Sequence, residues 1–489
     1  MSFDLVLFGG TGDLTWRKLM PALFQAHRHC KLPAGGRILA VARDERSDDA
    51  YRNFIKERFG EVEPGKRPGD DEFARFAQLL HYRRMDLSQP EHCLKRWLDE
   101  PTADEGRAGG RADTGVLFLA TSPHLFPVIC EQLGSAGLNG PHVRVVLEKP
   151  LGHDLASAQE INRVVASAFK EEQALRIDHY LGKAAVQNLM ALRFGNALFE
   201  PLWRRESIAN IQITLAESIG VGTRGDFYDR TGALRDMVQN HALQLLTMIA
   251  MEPPPTSDAD AIRDEKVLRS LRPFTPERVA RDVVRGQYKA GTVGGQPAVG
   301  YLDELKVPAA SRCETFVALR TEVQNWRWAG VPFYLRTGKR LAAGDAQIVV
   351  NFREVPHPIF PGTRQANKLV IKLQPEDGLE LHLLAAKGGG SSNQPEALSP
   401  VSLDLDFEKA FASNRVGGYE RLLLDAIAGR LNLFVRSDEQ EQAWRWVEPI
   451  LNAWAADTVG PRPYAAGGWG PAAASALVAR DGFAWAEEQ

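Results

Sequence analysis

Cysteine is scarce and scattered. The four present, Cys30, Cys93, Cys130 and Cys313, form no C-x-x-C pair, which argues against a disulfide framework or a thiolate zinc site and for a reducing cytoplasm. Long hydrophobic runs are missing too: the longest, Ala242–Met251, includes Gln244 and Thr247, well short of the ~20 apolar residues of a membrane-crossing helix. A strand expected to begin at Phe3 leaves no room for a signal peptide. Nor is one charge in excess. A net charge of −3 supplies no broad basic field for nucleic acid or anionic lipid, so an anion-binding site has to be local and the partner small. What is plentiful is apolar material, 44% of 489 residues, enough for two cores in a chain too long for one.

In the first half, short apolar runs at Leu5–Phe8, Ile38–Val41, Val116–Ala120 and Val143–Leu147 alternate with helical stretches. This is the rhythm of buried parallel strands joined by right-handed crossovers. Between the second and third runs lie amphipathic pieces, Tyr51–Phe59, Glu72–Leu80 and Glu91–Leu98, and a Gly-, Asp- and Arg-rich loop, Pro101–Thr114. Beyond about residue 178 the strands are longer and alternate, as at Asn210–Ala216, Thr315–Val323, Gln347–Phe352, Lys368–Leu373 and Leu379–Ala385, which predicts a mostly antiparallel sheet backed by helices. The expected fold is α/β plus α+β, with a doubly wound Rossmann sheet over 1–178 and a C-terminal domain with a large mostly antiparallel sheet over 179–489. Pro253–Pro255, Gly388–Ser392 and Gly460–Pro471 read as loops or tails.

Four blocks carry the chemistry. Gly9-Gly10-Thr11-Gly12-Asp13-Leu14 follows the first strand and opens a helix, where absent side chains let a pyrophosphate reach backbone N–H groups at the helix's positive end. Alone, such a turn is equally a simple tight turn. A site built for NAD places a carboxylate at the end of the second strand for the ribose hydroxyls, but Ala42-Arg43 stands there, and a guanidinium suits a 2′-phosphate. A solvated arginine is the plainer reading of that residue by itself, and the adjacent Asp44 leaves some use of NAD open. The second block is Glu148-Lys149-Pro150-Leu151-Gly152, in which proline biases Lys149 toward an extended backbone. The third, Arg176-Ile177-Asp178-His179-Tyr180-Leu181-Gly182-Lys183, puts His179 and Lys183 four apart, on one face if a helix starts there. The fourth, Leu234-Arg235-Asp236-Met237-Val238-Gln239-Asn240-His241, ends on a histidine beside apolar Ala242 and Leu243 that on its own reads as a satisfied core residue.

Taken together and in this order, the four blocks resemble glucose-6-phosphate dehydrogenases, over residue 3 to past residue 450. The resemblance implies NADP-linked oxidation of D-glucose 6-phosphate to 6-phospho-D-glucono-1,5-lactone, the first step of an oxidative pentose-phosphate route. It assigns His241 as the base and Asp178 as its partner, a dyad able to take a hydroxyl proton. It assigns His179, Tyr180 and Lys183 to the 6-phosphate, Glu217 and Asp236 to sugar hydroxyls, and Lys339, in Leu335-Arg336-Thr337-Gly338-Lys339, to the sugar from the second domain. Lys149 stands at the junction of cofactor and substrate, and Lys18 is another active-site cation. The second domain then serves substrate binding and oligomerisation, as a homodimer or homotetramer. Carboxylates without a histidine cluster of ligand spacing imply no metal.

Three positions depart from the family pattern: Ala184 where glutamate usually follows G-K, Trp16 where lysine is frequent, and Gly344 where a second basic residue usually follows Lys339. Arg340 is the nearest cation able to replace the last, if glycine lets the 342–344 turn fold back with positive φ. Two other functions share part of this kit. A Rossmann oxidoreductase for another sugar or sugar phosphate keeps E-K-P and the glycine turn but need not combine His179, Lys183 and His241. A non-catalytic NADP-sensing regulator has no use for Asp178 and His241.

Overall fold

The computed structural model describes residues 2–61, 67–87, 93–99, 112–264, 267–360, 366–386, 398–410 and 416–488. They form two compact units. The first consists of Met1–Gly182, Thr256–Arg263 and Val416–Glu441, and the second of Lys183–Pro255, Asp264–Arg415 and Gln442–Gln489.

In the first unit, β1 (Phe3–Phe8), β2 (Arg37–Ala42), β3 (Leu80–Arg84), β4 (Thr114–Leu119), β5 (Val143–Leu147) and β6 (Ala174–Ile177) are parallel in the order β6-β5-β4-β1-β2-β3, with Phe434–Val435 antiparallel along β6. The apolar runs are continuous because both faces are covered. Leu5 and Leu7 enter one core with Ile38, Ala40, Val116 and Phe118, while Val6 and Phe8 enter the other with Leu39, Val41, Leu117 and Leu119. At ~1.5–3 kcal/mol for each large apolar side chain buried, these inner strands anchor the unit. The outer strands β3 and β6 are not visible as apolar runs because they carry charges that find local partners. Arg176 Nε donates to Asn162 Oδ1 at 3.1 Å and Arg176 Nη1 to Glu171 Oε1 at 2.9 Å, and Arg83 Nη1 donates to Asp48 Oδ1 at 3.0 Å. Leu80 thus opens a strand, and the helix before it is Asp70–Ala77. Residues 101–111 of the expected loop lie outside the described residues, and Thr114 opens β4. Helix Gly418–Ala428 returns late in the chain and packs Leu422, Leu423, Ala426 and Ile427 into the first of the two cores.

The second unit is built on a nine-stranded sheet. Its strands are β7 (Ile208–Ala216), β8 (Val283–Lys289), β11 (Phe316–Glu322), β12 (Pro332–Gly338), β13 (Ala346–Phe352), β14 (Lys368–Gln374), β15 (Gly378–Ala386), β16 (Leu398–Asp406) and Arg462–Ala465, while β9 (Gly291–Val293) and β10 (Gln296–Ala298) form a separate hairpin. The order is β16-β15-β14-β13-β7-β12-β11-β8 and then Arg462–Ala465; the pairs β12–β7 and β8 with Arg462–Ala465 are parallel, the others antiparallel. Arg462–Ala465 is a strand inside the segment expected to be loop, and Gly388–Ser392 lies outside the described residues. Strand β12 escaped the alternation pattern because it is buried throughout, Arg336 and Thr337 included.

Cross-strand register places Ile213, Ile348, Ile371, Leu379 and Leu405 in one row on one face, with Ile211, Val350, Leu369, Leu381 and Leu403 beside them. The row is buried at the sheet centre and open at its edge, where Val401, Leu403 and Leu405 are 42%, 61% and 47% exposed.

Candidate active site

The cofactor turn keeps its shape through main chain. Gly9 N and Gly10 N both donate to Val41 O at 2.9 Å, Gly12 N donates to Gly9 O at 2.9 Å, and Thr15 Oγ1 donates to the same carbonyl at 2.9 Å. Two glycines are obligatory for steric reasons. Gly9 has φ 89°, and a Cβ there would stand 2.5 Å from Ala120 O; at Gly10 it would stand 2.6 Å from Ala40 Cβ. Buried Tyr51 donates to Gly10 O at 2.8 Å and locks the turn from below. Gly12 and Asp13 are exposed, Thr11 and Leu14 half-buried, and a π-helical turn, Thr15–Leu19, follows. At the end of β2, Arg43 is exposed and has no hydrogen-bond or ion-pair partner among the described residues. This fits an incoming phosphate. Lys18 is also exposed. Trp16 is buried, with its ring 4.6 Å from the Arg17 guanidinium and 4.9 Å from that of Arg58.

The same unit carries the E-K-P segment and most of the D-H-Y-L-G-K motif. Residues 178–183 form a turn, and the helix begins only at Ala184, so His179 and Lys183 do not share a helical face. The reason is local: Asp178 Oδ1 accepts from Tyr180 N at 2.9 Å, an Asx-type bond that competes with helix. Asp178 and Tyr180 are buried and His179 is half-buried. The His179 ring lies parallel to that of Tyr419, at 6.0 Å and 8°. Tyr419 Oη donates to Glu148 Oε1 at 3.2 Å. Burial pushes the Glu148 carboxyl up to about 7, and nearby Asp178 adds to the rise, against the opposing pull of Lys149 and the Tyr419 hydrogen bond. Lys149 itself is half-buried, and its bond to Pro150 is cis.

In the second unit, the Lys183 ammonium donates to Leu373 O and Gln374 Oε1, both at 3.1 Å, at the end of β14. Glu217 follows β7 and Lys339 follows β12, and their parallel register brings them side by side: Lys339 Nζ meets Glu217 Oε2 at 2.6 Å. The Lys339 ammonium lies 5.0 Å from the centre of the Tyr228 ring. Tyr228 is wholly buried, which raises its phenol far above the ordinary range, and Asp236 and Glu217 are among the carboxylates that add to the rise. Lys339, bonded to Glu217, therefore lies over one tyrosine, and Asp236 is near enough to raise that tyrosine's phenol. Asp236 and His241 sit on a π-helical segment, Leu234–Ala242, which packs against β7 and β12. His241 is 1% exposed, and its backbone N–H donates to Asn240 Oδ1 at 2.6 Å.

Gly344 does not adopt positive φ. The positive φ, 53°, is at Arg340, and that guanidinium reaches Glu304 Oε1 at 3.3 Å, an oxygen that also accepts from Tyr288 Oη at 2.9 Å. Sequence reading missed Tyr51, Glu148, Tyr228 and Tyr419 as members of the site. Glu148 adjoins Lys149 and was within reach of a motif reading. The tyrosines carry no local signal, since each acts on a residue distant in sequence.

Comparison with known proteins completes these observations. The sequence profile described as "Glucose-6-phosphate dehydrogenase, NAD binding domain" matches residues 6–188, and that described as "Glucose-6-phosphate dehydrogenase, C-terminal domain" matches residues 190–486. Similar proteins include glucose-6-phosphate 1-dehydrogenases of Rhizobium meliloti (strain 1021), 46% identical over 99% of this chain and 97% of that protein, and of Mycolicibacterium smegmatis, 48% identical over 99% and 97%. A solved glucose-6-phosphate dehydrogenase in complex with its substrate glucose-6-phosphate superposes with a TM-score of 0.89 at 32% identity, covering 99% of this chain and 98% of that one.

Proposed function

The chain belongs to the glucose-6-phosphate dehydrogenase family, and on that premise we infer that it oxidises D-glucose 6-phosphate to 6-phospho-D-glucono-1,5-lactone, with hydride transfer to NADP. The observation that carries the reading is the Lys339–Glu217 pair over the buried Tyr228 ring, beside the π-helical segment that bears Asp236 and buries His241. NADP, when bound, supplies the hydride acceptor. The Gly9–Leu14 turn would hold its pyrophosphate against backbone N–H groups, and Arg43 its 2′-phosphate. His241 takes the proton of the C1 hydroxyl; Asp178 fixes the imidazole tautomer and stabilises the imidazolium. His179, Tyr180 and Lys183 bind the 6-phosphate, Glu217 and Asp236 accept from sugar hydroxyls, and Lys339, Lys149 and Lys18 supply positive charge around them. Initial rates of NADPH formation at 340 nm, with glucose 6-phosphate against glucose and NADP against NAD, test this directly. Equal rates with both sugars would overturn it.

The protein works in the cytoplasm, a reading supported by free Cys30, Cys130 and Cys313 and by the absence, among the described residues, of a helix long and apolar enough to cross a membrane. It is a homodimer or homotetramer joined through the open apolar face of β15 and β16, where an exposed edge strand lined with leucine is otherwise an aggregation hazard. Leu403→Glu is expected to lower the mass measured by sedimentation equilibrium. An unchanged mass places the interface elsewhere.

A further inference from the structure

Glu314 stands outside every motif, at the entrance to β11, and its carboxylate is turned inward. Its residue is 6% exposed, and burial raises its carboxyl above the ordinary range against the pull of the Leu234 N–H and of Arg235 and Arg285. The helix that ends at Ala233 is broken at Gly232, with φ 71° and ψ 169°. That break frees consecutive N–H groups, and Glu314 takes two of them. Ala233 N donates to Glu314 O at 3.0 Å, and Leu234 N, at the head of the segment bearing Asp236 and His241, donates to Glu314 Oε1 at 3.1 Å. One residue on, Thr315 O accepts from Lys339 N at 2.9 Å. A Cβ on Gly232 would stand 2.3 Å from Glu314 Oε1.

We propose that Glu314 is the positioning residue of the sugar site: its side chain caps the segment that carries Asp236 and His241 while the adjoining carbonyl fixes Lys339, so that one dipeptide sets the spacing of base and sugar ligands. This role rests on the reaction inferred above. The capping needs an acceptor oxygen and not a charge. A tether of this kind holds reacting groups within the ångström on which rate depends.

The test uses the full chain and steady-state kinetics with glucose 6-phosphate, alongside NADP affinity measured by fluorescence titration. Glu314→Ala is expected to lower kcat by about 10- to 100-fold and to raise KM for the sugar phosphate, with NADP affinity unchanged. A purely structural loss would instead reduce the active fraction and leave KM alone. Glu314→Gln keeps the acceptor oxygen and is expected to restore both constants to within about threefold of the parent. Gly232→Ala leaves Glu314 in the chain but strains the backbone at φ 71° and crowds that carboxylate, and is expected to lower kcat at least as far as Glu314→Ala. An unaffected kcat in Glu314→Ala, or a Gln variant as impaired as Ala, overturns the role. An inactive parent protein overturns the assigned reaction and this role with it, whereas an active parent with either of those results overturns this role alone.

Discussion

The glycine turn at 9–15 and the Glu217–Lys339 pair both hold polar groups on a fixed scaffold, with different material. At residues 9–15 the scaffold is backbone: carbonyls of Gly9, Gly10 and Val41 take the hydrogen bonds, and glycine is required because a Cβ would strike Ala120 or Ala40. In the second unit the scaffold is side chain on side chain, with Lys339 clasped by Glu217 over the Tyr228 ring. A main-chain site is written locally in sequence and costs little electrostatically. A side-chain site joins residues 122 positions apart and must bury charge to do so.

If the side-chain half carries the chemistry, its loss should be the largest effect. His241→Asn is expected to lower kcat by roughly 10²–10⁴-fold with little change in NADP affinity. Rates close to the parent in stopped-flow or steady-state assays would remove His241 from the proton-transfer step.

The first unit is not free of buried charge, and Glu148 shows where the contrast blurs. Its folded value near 7 lies above the ordinary 4.5, so the folded protein holds that proton more tightly. The stabilisation is complete below about pH 4.5 and is lost as pH rises toward 7, about 3 kcal/mol in all. Urea midpoints of the parent should therefore fall over this window relative to Glu148→Gln, which keeps an acceptor for Tyr419. Parallel midpoints in the two proteins would mean that Glu148 titrates normally.

Arg43 sharpens the contrast from the other side, as the exposed side chain proposed for the 2′-phosphate. Arg43→Ala is expected to weaken NADP by roughly 10- to 150-fold, the value of one charge-assisted contact, and hardly to affect NAD. Equal weakening of both, by isothermal titration, would make the arginine structural.

The smallest effect is expected at Arg340. Because its guanidinium is engaged by Glu304, Arg340→Ala should change KM for glucose 6-phosphate by less than about threefold while lowering Tm, as a buried acceptor loses its partner. A large rise in KM would show that Arg340 reaches the sugar phosphate in place of the basic residue absent at Gly344.

The inner strands β1, β2, β4 and β5 were legible because burial on both faces writes an apolar run, and the glycine turn because sterics dictate it. Strands β3 and β6 were not, since Arg83 and Arg176 hide behind partners that only the fold supplies. Asp178, His179, Lys183 and His241 could be singled out only through family resemblance; the residues alone read His179 and Lys183 as a solvated helix face and His241 as a core residue. The shared face of His179 and Lys183, which depended on a helix starting there, does not form, because Asp178 diverts the backbone into a turn. Glu314 and Tyr228 lay outside any reading of local pattern, their meaning residing in which main-chain or side-chain group each meets.

The π-helical segment at 234–242 holds one residue more than the facing of Asp236 and His241 needs. Five positions separate Asp236 from His241, and an ordinary α-helix would splay them by about 140°, whereas a turn closed by i→i+5 bonds winds them back toward one side. The wide turn behaves as a helix with one residue too many. Excising a single residue between them would leave four positions, which an ordinary α-helix winds to within about 40° of one another, so the two groups would still share a side.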